Sequence, residues 1–87
     1  MLSPDIFKNL TKSKLRSFSI SNCDISLRVL VLNDNMLNSL PDNFHTLQKL
    51  QHLEIRNNRL NSLPDNFHTL QKLQYLEIRN NRLNSIT

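Results

Sequence analysis

Residues 37–62 and 60–85 can be laid over one another across 26 positions, and they differ only where His52 faces Tyr75. The overlap defines a 23-residue period. A period of that length limits the fold more than composition does, because each unit must be one supersecondary turn that hides its apolar face against its neighbours. An ordinary globular core is excluded.

One unit carries Leu50, Leu53, Ile55, Asn58, Leu60, Leu63, Pro64, Phe67 and Leu70 as its anchors. Leu53 and Ile55 flank Glu54, which is the alternation of a strand with one buried face. The anchors after Ile55 break that alternation, so the chain must turn. An Asn side chain bonds backbone amides and carbonyls in a bend. With the same residue one period away on either side, a stacked ladder of Asn35, Asn58 and Asn81 is expected. Pro64 fixes its own φ and biases Leu63 away from helix, while Phe67 and Leu70, three apart, suit a short 3₁₀ return. Successive strands then lie parallel, about 4.8 Å apart, joined by right-handed crossovers.

The pattern LxxLxLxxNxL followed by xxLPxxFxxLxx resembles the leucine-rich repeat family. It recurs from Leu27 and from Leu73, and a weaker copy starts at Leu15 with Phe18, Ile20, Cys23 and Ile25. Cys replaces Asn at the ladder position in that family, so Cys23 is the expected first rung. The resemblance implies an α/β leucine-rich repeat solenoid. It is a short open arc with a parallel β-sheet on the concave face and 3₁₀ or irregular segments on the convex face. Residues 1–87 form one domain on this reading: a half repeat at 1–14, a truncated repeat at 15–26, full repeats at 27–49 and 50–72, and a half repeat at 73–87.

Two stretches depart from the pattern. Leu2, Phe7 and Leu10 match the convex half of a repeat, with a longer Leu-to-Phe spacing that resembles the often extracellular subclass of the family; the regular units resemble the subclass common in intracellular and bacterial proteins. Leu15 and Leu27 then lie about half a period apart. A parallel crossover needs about a dozen residues for its connection alone. An irregular first strand is therefore expected, turning back antiparallel near 22–24, in a damaged or alternatively spliced piece of a longer array. Uncapped ends predict marginal stability, fraying or self-association. The chain shows neither a secretory leader nor an apolar run of spanning length, so a soluble cytoplasmic protein is the default expectation. An extracellular location follows if it is a fragment of a longer secreted protein, and only then does the Asn9-Leu10-Thr11 sequon predict glycosylation of Asn9.

Net charge is +4, with Lys8, Lys12, Lys14 and Arg16 as the densest cluster. That balance raises nucleic acid or an acidic surface as a partner. No aromatic residues interleave with the cluster and no nucleic-acid motif accompanies it, so a solvated basic face is the favoured reading. Gly is absent, which removes any glycine-rich phosphate loop. His45 and His68 recur in register, as do Asp42 and Asp65, but duplication accounts for both pairs and two imidazoles lack further ligands. No metal, no cofactor and no catalytic group is expected. Cys23 is the sole cysteine, so no internal disulfide can form.

In the leucine-rich repeat family the partner lies on the concave sheet, on side chains alternating with the buried leucines. Carried onto this chain, those positions are Val29, Val31, Asn33 and Asp34; His52, Glu54, Arg56 and Asn57; and Tyr75, Glu77, Arg79 and Asn80. Ser17, Ser19 and Ser21 extend the surface if the first strand joins. Glu54 beside Glu77 and Arg56 beside Arg79 put like charges side by side, with diagonal Glu to Arg contacts as the expected relief. The expected function is non-catalytic binding of another protein. Three alternatives stay open: a fragment of a secreted or receptor-type recognition protein like those of innate immunity, a basic-surface binder, and a relic without independent function.

Overall fold

The computed structural model describes residues 7–21 and 25–83. Four three-residue strands, β1 (Phe7–Asn9), β2 (Val29–Val31), β3 (His52–Glu54) and β4 (Tyr75–Glu77), form one sheet in the order β1-β2-β3-β4. All three pairings are parallel. The strands open at Phe7, Val29, His52 and Tyr75, so the step from one coil to the next is nearly constant. Each central residue of β2 and β3 is a leucine, Leu30 and Leu53, and each is fully buried because the outward residues on either side leave it facing the coil interior.

The return path is built from consecutive i to i+3 turns. In the second coil Phe44 N donates to Pro41 O at 3.0 Å, Leu47 N to Phe44 O at 3.2 Å, and Leu50 N to Leu47 O at 3.1 Å. The third coil repeats these bonds from Phe67 N to Pro64 O, Leu70 N to Phe67 O and Leu73 N to Leu70 O. Pro41, at φ −65° and ψ 151°, starts the 3₁₀ turn over Asp42–Thr46, and a second covers Phe67–Thr69. Three residues per turn stack Phe44, Leu47 and Leu50 on one edge, which points them all inward. Phe44 and Phe67 then lie stacked between coils, with ring centroids 5.9 Å apart.

The core runs as one column through the coils. Leu27, Leu30, Leu32, Leu37, Phe44, Leu47, Leu50, Leu53, Ile55 and Leu60 are fully buried. Each such side chain contributes roughly 1.5–3 kcal/mol of transfer free energy. Burial thins toward β4, where Leu76 is 38% exposed although it aligns with Leu53.

The N-terminal coil differs from the expected arrangement. Among the described residues of 15–26 no strand forms; the strand that pairs parallel with β2 is Phe7–Asn9. The described residues 7–14 therefore begin with a strand in place of the expected convex return, and residues 15–21 run on past the bend without a strand. Leu15 instead occupies the place just past the bend. Met36 N donates to Leu15 O at 2.8 Å, as Arg59 N does to Leu37 O and Arg82 N to Leu60 O at 2.9 Å. Phe18 is buried in the core and Ile20 packs against it, on the return path. The connection from Asn9 to Val29 is nearly a full period long, which suffices for a parallel crossover. Lys8 hides this strand in the sequence, since it holds the inward position that Leu30 and Leu53 hold in the next strands. An edge strand covered on one side leaves that position half-buried, where a long charged side chain is tolerated. Ser17, Ser19 and Ser21 accordingly stay off the sheet. The Cys23 rung and the tight turn expected at 22–24 lie outside the described residues.

Candidate functional site

The outward residues of the four strands form rows across the sheet. Register aligns Phe7, Val29, His52 and Tyr75 as one row, and Asn9, Val31, Glu54 and Glu77 as the next. Two residues past each strand lie Thr11, Asn33, Arg56 and Arg79. Much of this surface, from Phe7 and Thr11 to His52 and Arg56, lines one shallow groove. The first row is its most apolar part: Phe7 is 57% exposed and Tyr75 46%. The His52 and Tyr75 rings stack at 4.4 Å with 15° between their planes.

The second row carries the charge. His52 Nε2 lies 2.6 Å from Glu54 Oε2, Asn33 Nδ2 donates to Glu54 Oε1 at 2.7 Å, and Arg56 Nη2 sits 3.8 Å from the same oxygen. The His52 hydrogen bond, then that of Asn33, hold the Glu54 carboxyl below its ordinary 4.5 against the opposing effect of burial. Burial pushes the Glu77 carboxyl up, but the bonds from Arg79 Nε at 3.0 Å and Arg79 N at 3.2 Å carry it below its ordinary value. Glu54 is thus relieved chiefly by His52 and Asn33 and Glu77 by Arg79, two residues further along the chain, while the charge of Arg56 supplies the expected diagonal relief of Glu77 more weakly.

This arrangement sets a pH dependence. A carboxyl whose pKa is lower in the folded than in the unfolded chain contributes stability that is full above the unfolded value and lost as pH falls through the folded one. Stability should therefore fall as pH is taken from about 5 to about 3, and Glu54→Gln should flatten that part of the curve in urea titrations. An unchanged slope in the variant would exclude Glu54 as a contributor.

Two rails of Asn and Asp side chains hold the rows in place. In the buried rail, Asn58 Oδ1 accepts from Leu37 N at 3.0 Å, and its Nδ2 donates to Leu32 O, Ile55 O and Arg56 O at 2.9, 3.3 and 3.0 Å. Asn35 takes Lys12 N and Leu15 N on its Oδ1, and Asn81 takes Leu60 N. The second rail is exposed. Asp34, Asn57 and Asn80 have φ of 59°, 58° and 60°, a left-handed conformation that Asn and Asp tolerate. Asn80 Nδ2 donates to Asn57 Oδ1 at 2.7 Å, and Asn57 Nδ2 to Asp34 Oδ1 at 2.6 Å.

Among the carried-over positions, Val29, Val31, His52, Glu54, Arg56, Tyr75, Glu77 and Arg79 share the sheet face, and Asp34, Asn57 and Asn80 border it as the exposed rail. Asn33 differs, being only 5% exposed. Its Oδ1 accepts from Arg56 N at 2.8 Å while its Nδ2 supports Glu54, so it braces the face from beneath. Phe7, Asn9 and Thr11 belong to the face and were not among the expected positions. Counting back about one period from Val29 would have led to them. Asn9 is exposed, and its Oδ1 accepts from Thr11 N at 3.2 Å. On the convex side His45 Nδ1 lies 3.2 Å from Asp42 O and His68 Nδ1 3.1 Å from Asp65 O. A carbonyl only accepts, so both Nδ1 atoms carry protons there. Among the described residues no group of three or more His, Cys, Asp or Glu is placed to hold a metal ion, and no helix is long and apolar enough to cross a membrane.

No curated protein matches the chain significantly. The family described as Leucine rich repeat matches residues 25–83, from the end of the first return path to the bend beyond β4. With four parallel strands set at a nearly constant step and asparagines bonded between coils, the chain belongs to the leucine-rich repeat family.

Proposed function

We propose that the chain is a non-catalytic module that binds another protein on the sheet face of β1 to β4. Repeats of this family generally mediate protein–protein interaction and are not enzymes. The observation that carries the reading is the row Phe7, Val29, His52 and Tyr75, which holds large apolar and aromatic side chains outward on a hydrogen-bonded sheet. A face that served only solubility would not present Phe7 and Tyr75 to water, and Tyr is enriched among residues that dominate binding energy. Rigid strands also spare the partner an ordering cost. The return path offers less, since Thr46 Oγ1, Thr69 Oγ1 and both imidazoles bond carbonyls three residues back.

Peptides selected from a random library against the chain provide the test. The pair His52→Ala and Tyr75→Ala should weaken the selected peptides by about 30-fold or more, whereas His45→Ala with His68→Ala should change affinity by less than about 2-fold. The opposite ranking would move the site to the return path and refute the proposal.

A further inference from the structure

We infer that the partner docks as an amphipathic α-helix laid across the strands, with apolar side chains over β1 and β2 and a Lys or Arg over Tyr75 and Glu77. This rests on the sheet-face reading above. The first row places one side chain on every strand, so its step is the strand spacing of about 4.8 Å, and the two stacked rings of the row are 4.4 Å apart. Four positions then span about 14 Å. A helix brings one stripe residue to the surface per turn of about 5.4 Å, and three turns cover about 16 Å. An extended segment presents same-face side chains about every 6.7 Å, needs about 20 Å for the same three steps, and falls out of register after its second contact.

The two ends of the row differ in chemistry, which orients the helix. At the β1–β2 end Phe7 and Val29 are backed by the uncharged Asn9 and Val31. At the β4 end Tyr75 is backed by Glu77. Both Arg79 bonds to that carboxylate fall on Oε1, so Oε2 lies outside the Arg79 pair and is the acceptor assigned to the incoming cation. Tyr75 stacks one ring face on His52, and a cation beside Glu77 also meets the electron-rich ring. The helix therefore needs an apolar stripe that ends, about three turns on, in a cation.

The probe is a labelled helical peptide with Leu at positions i, i+4 and i+7 and Arg at i+11, titrated by fluorescence anisotropy into the full chain. Its controls are the same peptide with Glu at i+11 and a peptide of the same composition in alternating order. The Arg peptide should bind at least about 10-fold more tightly than either control, and Glu77→Gln should shrink the preference for Arg over Glu to about 3-fold or less. Since the charge swap is made in the peptide, the fold of the chain is constant in that comparison. Equal or tighter binding of the alternating peptide would overturn the helix while leaving the sheet-face reading intact, provided Tyr75→Ala weakens it. Peptide binding that ignores both Tyr75→Ala and Glu77→Gln would overturn the two readings together. Absence of binding by every peptide would overturn the helix inference alone.

Discussion

Asn58→Ala should lower the unfolding free energy by about 3–5 kcal/mol in a urea titration. The substitution removes the acceptor of Leu37 N and the donor shared by Leu32 O, Ile55 O and Arg56 O. The bonds to Ile55 O and Arg56 O close the bend itself, those to Leu37 N and Leu32 O cross to the preceding coil, and Asn58 is buried. Each buried group left unpaired costs about 1–3 kcal/mol, far more than the net value of an average hydrogen bond. Asn58→Asp should be more damaging still. It keeps an acceptor for Leu37 N but turns a carboxylate toward three carbonyl oxygens. Asn80→Ala is the control, because Asn80 loses only an exposed bond to Asn57 and the left-handed backbone preference, together about 1 kcal/mol. Equal losses at Asn58 and Asn80 would show that the buried rail does not carry the bend.

The second large effect is expected at Phe44. Phe44→Ala should cost about 3–5 kcal/mol and Phe67→Ala less than half as much, measured by denaturant titration with circular dichroism. The two phenylalanines lie in the same local sequence, NSLPDNFHTLQKL, and each sits in a 3₁₀ turn of its own coil with the same backbone bonds on either side. They differ in cover. Phe44 is fully buried between neighbouring coils, whereas Phe67 stacks on Phe44 by one face and remains partly exposed. Local propensity cancels in this pair, so the ratio reports tertiary packing alone. Similar losses would mean that the Phe67 side is as tightly covered as the Phe44 side.

The regular coils were legible in the sequence because their anchors repeat with the period of the structure. Leu53, Ile55, Asn58 and Leu60 each do one physical job, and residues of the same or similar type do it one coil away. The first coil was not legible, because its strand breaks the rule the others obey. Lys8 stands where a leucine belongs, and Phe7 points outward. Leu15, Phe18 and Ile20 meanwhile imitate a strand motif by spacing alone, although they fold as the bend and return. Edge placement decides between these readings, and edge placement is a property of the assembled sheet. Asn33 lines the groove but is largely covered, and its role is hidden in the sequence for a related reason. A polar residue in an outward position reads as a contact residue, yet this one is covered and bonded to Arg56 N and Glu54. The aromatic and charged rows at His52, Tyr75, Glu54 and Glu77 followed directly from the repeat period.

The near identity of the coils also bears on how the chain reaches its fold. The side-chain bonds that join one coil to the next reach across little more than one period of chain. Closing such a loop costs about the same entropy at every step, so folding can begin at any neighbouring pair and spread in both directions. The duplication that makes this growth easy also creates a competitor. If β4 seats on β2 and the residues between them loop out, Leu76 meets Leu30, Asn81 reaches the Leu37 amide that Asn58 serves, and Tyr75 replaces His52 against Val29. That skipped register satisfies almost every local rule and lacks one interface between coils, which makes it the natural kinetic trap of this chain.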